Sequence, residues 1–242
     1  MHAMPELLTI PMNLILNAGL LPVLSVALLA AEANPSSDAK AAASALGQQK
    51  NYAWVSTPRS EGASVNWRQG PTYGQSEKGG CTYIKFDLGD NTIEAAFKGT
   101  KSAIKLDSIW TSSEELVDDR AWIAGALKAY RPPAGEAEQL AEAAPRLAKQ
   151  ADGTLSGSLA EEKVKDLLLM GRRTDTPPKD LKGSVRFWLK EGALAKYEFN
   201  VQGKVPGRDG QELDINRTTT VEIKDVGSTK VALPEEARKK LS

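Results

Sequence analysis

Histidine and cysteine, the side chains most used for acid–base, nucleophilic and transition-metal chemistry near neutral pH, are almost absent from this chain. There is one histidine, His2, and one cysteine, Cys81. His2 lies in a segment expected to be removed, which leaves the mature chain without an imidazole. A serine or cysteine nucleophile activated by histidine is then excluded, as are histidine-based zinc and iron sites. Cys81 follows Lys78-Gly79-Gly80 and opens a strand. With no activating partner beside it in sequence, a half-buried structural thiol is the expectation. Paired carboxylates suit glycoside hydrolysis, and Asp118-Asp119 and Glu161-Glu162 are candidates. Both read instead as helix-start residues favoured by the helix dipole. Asp87, Asp107 and Asp214 read as outward strand positions. Asn216-Arg217-Thr218 fits a glycosylation sequon, a match that arises often by chance. Nothing converges on catalysis, so the expectation is a protein that is not an enzyme, with no cofactor and no metal.

Charge narrows the partners. Lys+Arg and Asp+Glu both number 31, so no global field draws in nucleic acid or an anionic membrane. The basic clusters Arg172-Arg173 and Arg238-Lys239-Lys240 read as solvated surface. With one cysteine there is no intramolecular disulfide, and stability must come from the core.

Residues 1–33 hold no Lys or Arg, and Leu14 to Ala31 run almost entirely apolar. Gly19 and Pro22 interrupt that run, which is short for a spanning helix. It ends in Ala31-Glu32-Ala33, an A-x-A site of the kind signal peptidases cut. The n-region has no positive side chain, and Met12 is an alternative start. We expect residues 1–33 to be a cleaved secretory signal, the alternative being an uncleaved membrane anchor. No cysteine stands near the cleavage site, so a lipid-modified N-terminus is not available. Residues 34–242 read as a single domain, periplasmic or secreted.

The alanine-rich stretch 36–50 predicts a helix capped by Ser36 or Ser37. A strand meander follows at 52–56, 64–68, 73–77 and 81–88. Ile84, Phe86 and Leu88 share one face of the last of these. Beyond a turn at Gly89-Asp90-Asn91, Ile93, Ala95 and Phe97 face in, and another strand carries Ile104, Leu106 and Trp110. The period then changes to a helical one. Ser112-x-x-Glu115 reads as a capping box for a helix carrying Leu116, Ile123, Leu127 and Tyr130, stopped by Arg131-Pro132-Pro133. A short helix over 136–144, a strand over 153–158 and a second capping box, Ser158-x-x-Glu161, come next. The helix there buries Val164, Leu167 and Leu168 and ends at Gly171. Residues 172–182 read as a basic, proline-bearing loop.

The last third alternates most cleanly. Val185, Phe187 and Leu189 share one parity, as do Tyr197, Phe199 and Val201, and then Leu213, Ile215, Val221 and Ile223. Polar neighbours such as Arg186, Glu198, Asn200 and Glu222 take the other. Such alternation predicts an antiparallel sheet with one apolar and one wet face. Pro234 starts a last helical turn through Leu241. The order of elements predicts an α+β arrangement, an antiparallel sheet whose concave face is closed by helices inserted mid-chain.

The stretches Gly183–Leu189, Ala195–Phe199, Thr218–Ile223 and Val231–Ala237, together with the order of elements over 36–242, resemble bacterial envelope proteins of the lipoprotein-carrier (LolA/LolB-like) fold group. The resemblance is one of pattern, and no ligand-contacting residue of the group maps onto a position here. It implies a curved, incomplete barrel around an apolar cavity that accepts acyl chains.

The function expected on this basis is that of a non-catalytic exported envelope protein binding a lipid or other apolar ligand between curved sheet and helices. Trp54, Ile84, Phe86, Phe97, Trp110, Phe187, Tyr197, Phe199 and Val221 are the candidate cavity residues, and ordinary packing between sheet and helices makes the same demand for apolar side chains. The alternative is a cell-envelope interaction or scaffolding domain with a closed core and no small-molecule ligand. Its clue is Trp188, a large aromatic on the polar parity, for which coverage by the N-terminal helix is the plain explanation. The expected partners are a lipid or acyl chain and an envelope protein, with no nucleic acid and at most transient membrane contact.

Overall fold

Eleven strands, each antiparallel to its neighbours, form one sheet in the order β6-β5-β4-β3-β2-β1-β11-β10-β9-β8-β7. The structure is a computed structural model that describes residues 34–61, 70–88, 91–170, 174–207 and 211–242. The expected signal over 1–33, the strand over 64–68, the turn residues Gly89-Asp90 and the helix stop at Gly171 lie outside the described residues. The described residues form one compact unit.

The first meander comprises β1 (Asn51–Glu61), β2 (Thr72–Glu77), β3 (Thr82–Leu88), β4 (Asn91–Lys98), β5 (Lys101–Leu106) and β6 (Ile109–Ser112). The second part of the sheet comprises β7 (Ala148–Lys149), β8 (Leu155–Ser158), β9 (Lys179–Lys190), β10 (Ala193–Pro206) and β11 (Glu212–Lys224). Pairing of β1 with β11, from Ala53–Lys224 to Glu61–Asn216, joins the two parts into one open, curved sheet. The helices are α1 (Pro35–Gly47), α2 (Ala121–Ala129), α3 (Pro133–Glu142), α4 (Glu161–Leu169) and α5 (Glu235–Lys240). The architecture is α+β, as the order of elements predicts.

The register puts the predicted apolar parity on one inner face. Phe187, Tyr197, Val221, Ser56, Thr72, Phe86 and Ile93 form one row across seven strands. Ile223, Trp54, Gly74, Ile84, Ala95 and Ile104 form another. Gly74 is required there, because the Trp54 indole lies across it and a Cβ would fall 2.0 Å from the ring. Helices α1 to α4 supply buried residues to the core on this face, among them Ala39, Ala43, Leu127, Leu140 and Val164. The cover is therefore not only mid-chain, since α1 contributes to it. Helix α5 instead covers a smaller core of Ala96, Ala103, Trp110, Leu233, Ala237 and Leu241, on the opposite, outer parity of β4, β5 and β6.

Several local expectations are corrected. Asn34, not Ser36 or Ser37, caps α1, its Oδ1 accepting the Ser36 N–H at 3.1 Å. Half of the box at Ser112 forms, with the Ser112 N–H donating to Glu115 Oε2 at 2.7 Å. No helix starts there, because Val117 is extended and α2 begins only after a 3-10 turn at Asp118–Arg120. Ser158 is paired with Ser184 in the sheet, so α4 starts from Ala160 without a side-chain cap. The loop expected over 172–182 yields to β9 from Lys179, where Asp180 takes φ 54° beside a register shift between Gln202 and Lys204.

Trp188 is not covered by α1, which lies on the inner face. Lys196 Nζ stands 4.2 Å from its ring centroid and the Arg186 guanidinium carbon 5.8 Å. Two cationic side chains thus cover the aromatic on the wet face.

Candidate ligand-binding face

Eight of the nine candidate cavity residues meet on the inner wall. Trp54, Ile84, Phe86, Phe187, Tyr197, Phe199 and Val221 belong to one buried cluster, and Phe97 packs against it. Trp110 does not join them. The chain reverses at Asp107 and Ser108, both at positive φ (49° and 69°), so Trp110 belongs to a separate strand. Its cross-strand partner is Lys105, on the outer parity, and it packs beneath α5. The sheet itself therefore separates Trp110 from Trp54, and the two do not border one pocket.

The wall is packed rather than hollow. Phe187 and Tyr197 have no exposed surface and Trp54 only 3%. Two clefts among the described residues lie away from this wall. One of about 280 Å³ is lined by Glu61, Lys182, Gln202, Lys204 and Asn216, and one of about 360 Å³ lies between Ile109, Trp110 and α5. A ligand reaching the wall must displace part of its helical cover.

The segment carrying α2 and α3 is fastened to the wall by three tyrosines. Tyr130, at the end of α2, stacks on Phe97 with centroids 4.5 Å apart and planes 20° from parallel. The Tyr52 hydroxyl hydrogen-bonds the backbone of Ala134 in the first turn of α3. Tyr197 Oη donates to Glu136 Oε2 at 2.6 Å. Burial pushes the Tyr197 phenol well above its ordinary value, and the Glu136 carboxylate reinforces the shift, so this hydroxyl remains a donor. Helix α2 packs chiefly on the 3-10 turn before it and on β5, and leaves Trp122 68% exposed.

The cover thins between β10 and β11. On β10 the inward Tyr197, Phe199, Val201 and Val205 are buried. On β11 and β1, the inward Leu213, Ile215, Arg217, Thr219, Ser56 and Pro58 are half-buried. Helix α4 lies over β9 and β10, where Gly183 and Gly203 admit it: a Cβ at Gly183 would stand 2.5 Å from Val164 and one at Gly203 2.9 Å from Leu168. Arg217 is an inner-face residue that the sequence reading did not select. Its guanidinium donates to the Leu167 carbonyl at 2.7 Å, in the last turn of α4, and to Sδ of the C-cap residue Met170 at 3.2 Å. The signal was present in the parity, since Arg217 is two residues from Ile215 and four from Val221.

No family model matches the chain, and no curated protein matches it. Among solved structures it is similar to the Mycobacterium tuberculosis lipoprotein LppX, with TM-score 0.48 and 9% identity over 81% of this chain and 96% of that one. It is also similar to LprF from Mycobacterium bovis, with TM-score 0.45 and 10% identity over 84% and 97% of the two chains. A LolA superfamily protein from Nitrosomonas europaea aligns with TM-score 0.33 and 10% identity over 84% and 96%.

Proposed function

We propose that the protein is an exported, non-catalytic carrier that holds a lipid or other apolar ligand against the inner face of its sheet. The attachment of the cover carries this reading. An extended wall including Trp54, Phe86, Phe187 and Phe199 lies under helices of which one segment, α2–α3, is fastened by an aromatic stack and two tyrosine hydroxyls. Releasing those links, together with the packing of α3 on α1, bares apolar wall without breaking the sheet, whose backbone bonds run strand to strand. Burial of an acyl chain on that surface then replaces the lost contacts. Export rests on the apolar run Leu14–Ala31 and its A-x-A end. Among the described residues no helix is long and apolar enough to cross a membrane.

Calorimetry with a long-chain fatty acid tests the carrier. Saturable binding with a negative heat-capacity change is the expected result. Its absence, together with a bare polypeptide in native mass spectrometry of protein from its own compartment, would sink the reading. N-terminal sequencing tests export separately. A mature terminus after Ala33 is expected, and an intact Met1 or Met12 in the membrane fraction would refute it.

A second reading, an envelope interaction domain, is favoured by one observation. Ile109 and Trp122, each 68% exposed, and Val117, 59% exposed, are large apolar side chains left uncovered within 14 residues of chain, on β6 and around the start of α2. Trp122→Ser discriminates: it should abolish capture of an envelope protein under this reading and leave fatty-acid binding intact under the first.

A further inference from the structure

One charge stands on an otherwise uncharged wall. Among the described residues of β1–β5 and β8–β11, Arg217 is the only charged side chain at an inward register position. Its row is Gly183, Val201, Arg217 and Ser60. A guanidinium facing an apolar wall is costly to retain without strong hydrogen bonding, so its position calls for a reason. Part of the reason is structural, since the carbonyl end of α4 favours a cation. The Leu167 carbonyl and the Met170 thioether are among the groups it meets there.

The surroundings suit a further role. Arg217 lies where the cover thins, next to the hydroxyls of Thr219 and Ser60 and one row from the apolar Phe199. Apolar wall on one side and a cation with hydroxyls at the half-covered end match an amphiphile, its chain along the wall and its head at the opening. The planar guanidinium fork accommodates two oxygens of a carboxylate or phosphate at once, which a single ammonium does not. Resting on the carrier reading, we propose that Arg217 is the head-group receptor of the ligand site and that the ligand is an anionic amphiphile.

The test uses three probes sharing one oleoyl chain: 1-oleoylglycerol, oleate and 1-oleoylglycerol 3-phosphate. Calorimetry of the full chain should show the two anions binding about tenfold or more tighter than the neutral probe. Preference for one anion over the other tells carboxylate from phosphate. Arg217→Gln should abolish the preference, bringing both anions to within about twofold of the neutral probe measured on the same variant. Arg217→Lys, which keeps the charge, should retain a reduced preference, and it carries the test if the Gln variant does not fold. Equal affinities of the wild type for all three probes, or an equal loss for all three in Arg217→Gln, would overturn the head-group assignment and leave the carrier standing. No saturable binding of any probe would remove the carrier reading and this assignment with it.

Discussion

The hydroxyl of Tyr197 donates to the Glu136 carboxylate at 2.6 Å, tying the centre of β10 to the first turn of α3. The phenol ring is fully buried in the wall, whereas Glu136 is half-buried. One end of the bond is thus fixed in the sheet, and the other belongs to the cover. A buried hydroxyl that loses its partner pays the full desolvation cost, so the bond favours the closed arrangement more than its net worth suggests.

Tyr197→Phe removes the donor and keeps the ring. Because Glu136 is able to turn to water, the expected loss is at the low end for a bond to a charged group, about 1–2 kcal/mol in urea unfolding. The amides of α3 should exchange faster than those of β10. A change below about 0.5 kcal/mol with unaltered α3 exchange would show that the bond does not hold the cover.

The register is tested on β10. Phe199→Asp places a carboxylate on the inner wall beside Val185 and should cost more than about 4 kcal/mol, enough to prevent folding. Its neighbour Asn200 is not a neutral control. Asn200 Nδ2 donates to Asn216 Oδ1 at 2.8 Å and to Thr218 Oγ1 at 3.0 Å, so Asn200→Asp forfeits two bonds and should cost about 1 kcal/mol. The neutral control is the exposed Asp214, where Asn should change stability by less than about 0.5 kcal/mol. Equal costs at 199 and 214 would mean that the two residues do not lie on opposite faces as the alternation requires.

Parity made the wall legible, because alternation is a local property. Ile84, Phe86, Tyr197 and Phe199 could be placed inward from their own strands alone. The misses have non-local or conflicting causes. Trp110 was misplaced because the turn at Asp107-Ser108 uses positive φ without a glycine to announce it. Arg217 has the inward parity, but the groups that accept its hydrogen bonds lie on a helix some fifty residues earlier, outside the reach of a local pattern. The boxes at Ser112 and Ser158 are real sequence signals, but the first forms only in half and is followed by an extended Val117, and the second is overruled from afar by strand pairing with Ser184. Trp188 on the wet parity needed Lys196 from the neighbouring strand to cover it.

Acid should loosen α5 before it unfolds the sheet. The Lys240 ammonium, followed by the backbone and hydroxyl of Ser112, depresses the Glu115 carboxyl from 4.5 to about 2. A carboxyl depressed in the folded state stabilises above its ordinary pKa, and that contribution disappears as pH falls through the folded value. The link between Glu115 and α5 is therefore complete above about pH 4.5 and lost toward about pH 2. NMR of the α5 amides should show them freed in that window, with Glu115→Gln freeing them at neutral pH. Both being carboxylate surface contacts, the effect is small and falls with added salt. Identical acid titrations of wild type and Glu115→Gln would exclude this link as the cause.

The stack of Tyr130 on Phe97 is the contact best placed to govern how fast the wall opens. Tyr130 belongs to the cover and is half-buried, so Tyr130→Ala loosens the α2–α3 segment while leaving every wall residue in place. An aromatic pair of this kind contributes about 0.5–1.5 kcal/mol beyond the area it buries. If opening precedes binding, that energy belongs to the opening step. The association rate of an acyl-chain dye in stopped flow should then rise by up to about tenfold, since about 1.4 kcal/mol corresponds to a factor of ten. Phe97→Ala breaks the same stack but also removes wall surface, so it should speed association and weaken final affinity together. The pair of variants separates gate from wall. An unchanged association rate in Tyr130→Ala, with binding otherwise intact, would place the entry elsewhere, and the half-covered stretch at Thr219 and Ser56 is where substitution should then be directed.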